Sequence, residues 1–338
     1  MLSWRNCFNG SNKDNYESIC SKLNPIVIAV ALFVVGTAFV IKGGDVFVDA
    51  AGWISEATGI SGVVIGATLV SFATTAPEYF VSLIAAIKGH ADLSVGNAVG
   101  SLSANLGIAF ALLAVFTPGT VKDRLFGAKG LIMIVSTALL LLFCLSGAIS
   151  VIEGAALLLM FAIATFVNIR YAKDDEKTGE RKRVAPREAL IPAAKFIGGA
   201  AAIIFGSNLI VDNAQVIASA LGMSEAVIGL TIVAVGTSLP EIVTSVAAII
   251  KKQNAISIGN IIGANIMDAT LILATGSFIT GGKMMVLRSA YVMDIPLALV
   301  LMIAAVLPSA VGKKIYRWQG ALMAGIYIAY IVYRISAT

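Results

Sequence analysis

Two glutamates occupy positions where a carboxylate is costly. Glu78 and Glu241 each follow a proline inside a long apolar region, in Ser71-Phe72-Ala73-Thr74-Thr75-Ala76-Pro77-Glu78 and Ala234-Val235-Gly236-Thr237-Ser238-Leu239-Pro240-Glu241. A carboxylate at the centre of a membrane helix costs ~2.5–3.5 kcal/mol even on the lenient insertion scale, which makes it a functional candidate by default. Proline removes a backbone donor and clashes with the carbonyl one turn earlier. The carbonyls around 71–74 and 234–237 are then freed in a place without bulk water to satisfy them. Carboxylate, carbonyl and hydroxyl oxygens together suit a hard cation such as Ca²⁺ or Na⁺ rather than zinc or copper. The same spacing also fits a capping box, Thr75-x-x-Glu78 and Ser238-x-x-Glu241, with the glutamate reaching back to the N-cap amide. Two occurrences at matched positions in apolar sequence favour the cation site.

A second constellation lies further along each region. Gly96, Asn97, Gly100 and Ser101 recur as Gly259, Asn260, Gly263 and Ala264. The small residues allow close helix approach, so packing explains them as well as a site does. Asn105 corresponds to Asp268, each 27 residues past its glutamate, and both are polar side chains in apolar helices. Asp49 and Asp212 are also matched, near the ends of long first helices, where pairing or capping is the simpler role. His90, the single histidine, falls in a short loop. Three cysteines without a CxxC pair or a Cys/His cluster give neither a disulfide scaffold nor a zinc site. Cys7 and Cys20 share the polar N-terminal tail, and Cys144 sits in an apolar run. No catalytic constellation is present, so the expectation is a non-enzyme with no cofactor and no implied obligate protein partner.

These residues belong to a chain that contains itself twice. Offset by 163 residues without a gap, Gly43–Gly107 overlays Gly206–Thr270 with 24 identities in 65 positions. Membrane-like composition alone would not place Pro-Glu and Gly-Asn at one shared offset; this is duplication.

The elements that position the motifs are membrane spans. Of 338 residues, 58% are apolar and 13% charged, and the mean hydropathy is +0.92; a soluble domain has roughly 45–50% apolar and ~25% charged residues. A water-soluble enzyme, a nucleic-acid binder and a disordered chain are excluded. Apolar runs place five spans in each half: 25–55, 62–88, 92–116, 126–147 and 149–171, then 189–220, 226–251, 255–276, 289–308 and 317–335. The expected fold is an all-α polytopic membrane protein with ten transmembrane helices as two inverted five-helix repeats, the second and seventh helices being broken. An odd number of spans per half inverts the second half, a transporter architecture with its substrate near the midplane. The organisation is a polar tail (1–24), a first repeat (25–171), a charged loop (172–188) and a second repeat (189–338). Fourteen Lys and Arg lie on one side and seven on the other, which makes the central loop cytoplasmic and puts both termini outside.

The paired Thr-Thr-Ala-Pro-Glu and Gly-Thr-Ser-Leu-Pro-Glu segments, followed by Gly-Asn-Ala-Val-Gly-Ser and Gly-Asn-Ile-Ile-Gly-Ala-Asn, resemble the alpha-repeats of the calcium/cation antiporter superfamily, above all the prokaryotic sodium/calcium exchangers. The resemblance implies that the second, third, seventh and eighth spans surround four cation positions. It implies that Glu78 and Glu241 bind Ca²⁺ with the carbonyls of Thr74 and Thr237. Sodium would use the Ser71 carbonyl, Thr75 and Ser101 on one side, and the Ala234 carbonyl, Ser238 and Thr237 on the other. Asn105 and Asp268 match the middle position. The chain departs from the family at Ala264, where a hydroxyl is expected. The acidic residue that proton-coupled exchangers carry after Gly-Asn is absent from both repeats. The implied activity is electrogenic exchange of three Na⁺ for one Ca²⁺ by alternating access, extruding calcium across the cell membrane, with proton/calcium or potassium-dependent exchange as the alternative and a passive channel ranked below both.

Overall fold

The computed structural model describes residues 25–121, 126–178, 186–220, 222 and 234–336, and these are almost entirely helical. The helices are α1 (Pro25–Thr58), α2 (Gly62–Ile87), α3 (Ala91–Phe116), α4 (Phe126–Cys144), α5 (Val151–Thr178), α6 (Pro186–Ala220), α7 (234–250), α8 (Asn254–Ile279), α9 (Ala290–Gly312) and α10 (Arg317–Ser336). Eight are long and apolar enough to cross a membrane. The remaining two are α7, described only from 234, and α10, whose apolar character is diluted by Gln319, three tyrosines and an arginine near each end. Helix α5 runs on to Thr178 and α6 starts at Pro186, so helical structure extends into the segment 172–188 expected as a loop. The tail with Cys7 and Cys20 lies outside the described residues.

Two short antiparallel ribbons reveal the inversion. Strands β1 (Gly119–Thr120) and β4 (Lys314–Ile315) pair, as do β2 (Ala148–Ile149) and β3 (Met284–Met285). Each ribbon joins the end of α3 or α8 to the start of its partner, α10 or α5, so the two are repeat-related. Helix α4, 19 residues long and therefore roughly 28 Å at ~1.5 Å per residue, separates β1 from β2. The ribbons therefore lie at opposite ends of the bundle, as an axis in the membrane plane requires.

Burial divides the bundle into a core and a flank. Helices α3 and α8 are its most buried members, and the main apolar cluster joins them to α4 and α9 through Leu102, Leu106, Phe110, Met133, Leu140, Ile262, Leu301 and Met302. Helices α1 and α6 lie against one another and expose apolar faces such as Val27, Val34, Ile197 and Phe205. Glycines set how closely this pair packs. A Cβ on Gly36 would stand 2.8 Å from the Gly206 carbonyl oxygen, and one on Gly206 would stand 2.7 Å from that of Gly36. Gly43 faces Gly199 in the same way, its Cβ position being 3.0 Å from the Gly199 oxygen. At one end of the flank Lys251 pairs with Asp49 at 2.9 Å and reaches Asp45 at 3.7 Å. Asp49 thus has the pairing role anticipated for it, whereas Asp212 is exposed.

Candidate cation site

Both proline-glutamate motifs interrupt regular helix, each in its own way. In α7 the α-helix stops at Thr237, Ser238 forms a turn, and a new helix begins at Leu239 with Pro240 in its first turn, where the missing N–H costs nothing. In α2 the chain stays helical through Pro77. Its regular hydrogen bonding breaks upstream instead, in a π turn over Gly66–Val70. Within the packed helix a neighbouring hydroxyl meets a backbone carbonyl: Thr74 Oγ1 donates to the Ser71 carbonyl at 3.3 Å. Further π turns begin at Asn105 in α3 and Asp268 in α8, the repeat-related pair. Such turns concentrate at functional positions.

Glycine explains how α2 and α8 come close enough to build a site. A Cβ on Gly66 would run into the Ile256 carbonyl oxygen, and one on Gly259 into that of Val63. Gly263 sits against Ala67 and the Ser71 hydroxyl, 2.8 and 2.5 Å from where its Cβ would be. The packing role open to these residues from sequence is therefore real for Gly259 and Gly263. The residues matching Gly66 and Ala67 in the other half, 229 and 230, lie outside the described set.

The two carboxylates are fully buried and each is held by the opposite half of the chain. Thr75 Oγ1 donates to Glu241 Oε1 at 2.9 Å. Ser238 Oγ, the repeat equivalent of Thr75, donates to Glu78 Oε1 at 2.9 Å. Ser101 Oγ donates to the same Glu78 oxygen at 2.6 Å and lies 3.0 Å from Ser238 Oγ. The second oxygen of each glutamate, Oε2, is buried without a hydrogen-bond partner. Ser238 precedes its helix in the N-cap position but makes no side-chain cap bond, so the hydroxyls of these motifs serve carboxylates across the repeat boundary rather than capping boxes.

Two asparagines outside the expected ligand set complete the framework. Asn97 Nδ2 donates to the Glu78 carbonyl at 3.4 Å and to Ser82 Oγ at 2.9 Å. Asn260 Nδ2 donates to the Glu241 carbonyl at 3.5 Å, while its Oδ1 accepts from Thr74 Oγ1 at 3.2 Å. The signal visible in the sequence is their shared position 19 residues past each glutamate, in segments that packing and a site explain equally well.

Ser71, Thr74, Thr75, Ser101, Asn105, Ser238 and Asp268 are all buried, and Thr237 is half-buried. Ala234 contributes the backbone that opens α7. Both oxygens of Asp268 and both amide atoms of Asn105 are buried without a hydrogen-bond partner. Among the described residues no three His, Cys, Asp or Glu side chains cluster tightly enough to hold a metal ion. A cation between the glutamates would therefore draw on hydroxyl and carbonyl oxygens. Apolar clefts flank the site on both sides. One of about 380 Å³ reaches Ser71 and Gly263 between α2, α5, α6 and α8. Another of about 430 Å³ reaches Gly107 and Val235 between α3, α7 and α10.

An inverted-repeat membrane bundle with two buried carboxylates at the repeat interface is the architecture of a secondary cation transporter. The family model for the sodium/calcium exchanger protein matches residues 28–170 and again 191–336, once per half. The chain belongs to that sodium/calcium exchanger family. It is 33% identical over 315 residues to the inner membrane protein YrbG of Escherichia coli, covering 90% of this chain and 96% of that one. It is 34% identical over 118 residues to the sodium/calcium exchanger MaX1 of Methanosarcina acetivorans, covering 35% of this chain and 34% of that one. Its fold matches the sodium-calcium exchanger NCX_Mj soaked with Na⁺ and Sr²⁺, with a TM-score of 0.80 and 29% identity over 91% of this chain and 99% of that one.

Proposed function

We propose that the protein is a secondary active antiporter that exchanges Na⁺ for Ca²⁺ across the membrane by alternating access. The observation that carries this reading is the reciprocal arrangement of Thr75 on Glu241 and Ser238 on Glu78, each carboxylate leaving one buried oxygen free for a cation. Glu78 and Glu241, with carbonyls of Thr74 and Thr237, bind one Ca²⁺. Ser101 and Ser238, which meet at Glu78, and Thr75, which meets Glu241, supply hydroxyls to the sodium positions flanking it, together with Thr237 and the carbonyls of Ser71 and Ala234. Asn105 and Asp268 line the middle. Three Na⁺ or one Ca²⁺ occupy overlapping positions, so they compete, and only a loaded site reorients. The exchange is electrogenic and extrudes calcium. The closely packed α1–α6 pair slides against the core. The central loop is cytoplasmic and both termini lie outside, in the cell membrane. Proteoliposomes test this: Ca²⁺ uptake should require a trans Na⁺ gradient. Uptake driven equally by a trans H⁺ gradient, or requiring K⁺, or proceeding without any counter-ion would each replace the reading.

A further inference from the structure

The duplication supplies its own control for the site, because every oxygen in one half has a counterpart position in the other. Around Glu78 three side-chain oxygens meet: the carboxylate Oε1, Ser101 Oγ at 2.6 Å and Ser238 Oγ at 2.9 Å, with 3.0 Å between the hydroxyls. At an offset of 163 residues the counterparts are Glu241, Ala264 and Thr75. Thr75 is in place at 2.9 Å, but the third corner is a methyl group. Ala264 is fully buried, so no solvent replaces the missing oxygen. The helix that carries Ala264 passes its glutamate in the matching register: Asn260, one turn before Ala264, donates to the Glu241 carbonyl at 3.5 Å, as Asn97, one turn before Ser101, donates to the Glu78 carbonyl at 3.4 Å. The two positions correspond, and the side chain differs.

We infer that Ala264 makes the two halves of the cation site unequal in their grip on a monovalent ion, the Glu241 half holding Na⁺ the more weakly. This rests on the exchange reading above. A monovalent cation is held by the sum of a few oxygen contacts, and losing one of three weakens it markedly. Calcium is drawn chiefly by the two carboxylate charges, which Ala264 leaves intact. The departure thus separates the two substrates: it lowers affinity for Na⁺ and spares affinity for Ca²⁺. It also keeps calcium bound at sodium concentrations that would displace it from a symmetric site.

Ala264→Ser restores the third oxygen at the position that matches Ser101. In proteoliposomes the Na⁺ concentration for half-maximal Ca²⁺ efflux should fall about three- to tenfold, the size expected of one ordinary contact of net hydrogen-bond strength. Half-saturation by Ca²⁺ without Na⁺ should stay unchanged. Ser101→Ala, which only removes atoms, is the counterpart. It makes the halves alike at this position and should raise the Na⁺ requirement by a similar factor, more than it shifts half-saturation by Ca²⁺. An unchanged Na⁺ requirement in either folded variant, or equal shifts for Na⁺ and Ca²⁺, overturns the inference while leaving exchange standing. A wild-type protein that moves Ca²⁺ without responding to Na⁺ overturns the exchange reading itself.

Discussion

Thr75 donates its hydroxyl to Glu241 across 166 residues of sequence, and the bond is 2.9 Å long. Its repeat-related counterpart, Ser238 to Glu78, runs the opposite way between the same two halves at the same length. Neither half can complete the surroundings of its own carboxylate. A relative movement of the halves must therefore alter both carboxylates together, which is the coupling that an exchanger needs between ion occupancy and shape.

Glu78→Gln and Glu241→Gln should each abolish calcium transport while the protein still folds. Within a low-dielectric interior the loss of one of two charges facing a divalent ion far outweighs the loss of a surface pair. An amide can still accept from Thr75 or Ser238, so the bundle should keep its thermal stability in detergent. Near-normal ⁴⁵Ca²⁺ uptake by either variant would remove the glutamate from the site.

Asp268→Asn should behave differently and retain sodium/calcium exchange. Neither oxygen of Asp268 has a hydrogen-bond partner, and the corresponding position in the first half, Asn105, is already an amide. With Ca²⁺ bound, Glu78, Glu241 and Asp268 leave one surplus negative charge, which the amide removes. A variant as inactive as Glu241→Gln, assayed with and without K⁺, would make Asp268 an obligatory ligand.

Asn260→Ala should impair transport more than Asn97→Ala. Asn260 joins the Glu241 carbonyl to the Thr74 hydroxyl, one contact in each half, whereas both Asn97 contacts, Glu78 and Ser82, lie within the first half. A buried carbonyl that loses its donor costs about 1–3 kcal/mol. Side-by-side uptake rates and melting curves check the order, and equal losses would contradict it.

These asparagines mark where sequence reading stops. The duplication, the ten spans and the buried glutamates all follow from spacing and apolarity, because a carboxylate in apolar sequence is conspicuous whatever surrounds it. An asparagine next to glycine is not, since Gly-Asn serves packing and turns as readily as binding. Likewise, Pro77 predicts an interruption in α2 but not its form. The helix continues through the proline and departs from regular hydrogen bonding upstream, in a π turn that begins at Gly66, where the α8 backbone packs close. The partner of each hydroxyl was equally hidden: Thr75 and Glu78 are neighbours in sequence, yet Thr75 serves Glu241.

Two adjacent glycines of α6 offer a test of the flank. A Cβ on Gly199 would lie 2.8 Å from the Phe47 backbone nitrogen, while one on Gly198 would meet nothing within 4 Å. Gly199→Ala should destabilise by about 1–3 kcal/mol through overpacking against backbone. Gly198→Ala should be neutral or gain up to ~1 kcal/mol from helix propensity. Equal melting temperatures in detergent would show that α1 and α6 are not in close contact.

The Lys251–Asp49 pair should matter little to stability. Asp49 is 61% exposed, and exposed pairs contribute about 0–1 kcal/mol, screened by salt. The Asp49 carboxylate, through its hydrogen bond, holds the Lys251 ammonium above its ordinary value. The contribution is therefore complete below the usual lysine range, near ~10.4, and is lost only as pH rises through the raised value. Asp49→Asn should shift the melting temperature by no more than a few degrees, equally at pH 6 and pH 8. A pH-dependent difference between those values would point to another titrating partner.

The glycine seam between α1 and α6 has the form of a homodimer interface folded into one chain. Gly36 meets Gly206 and Gly43 meets Gly199, and at the repeat offset Gly36 corresponds to Gly199 and Gly43 to Gly206. Each glycine therefore faces the other glycine's twin, the i-to-j, j-to-i pattern of an isologous contact. A chain containing the first half alone already carries both glycines of a self-complementary face, together with Thr75 and Glu78, the two ends of the cross-half bond. Two such chains in opposite orientations would present the same seam and the same paired carboxylates. In a single chain each copy is free to change alone, and Ala264 opposite Ser101 is what that freedom looks like.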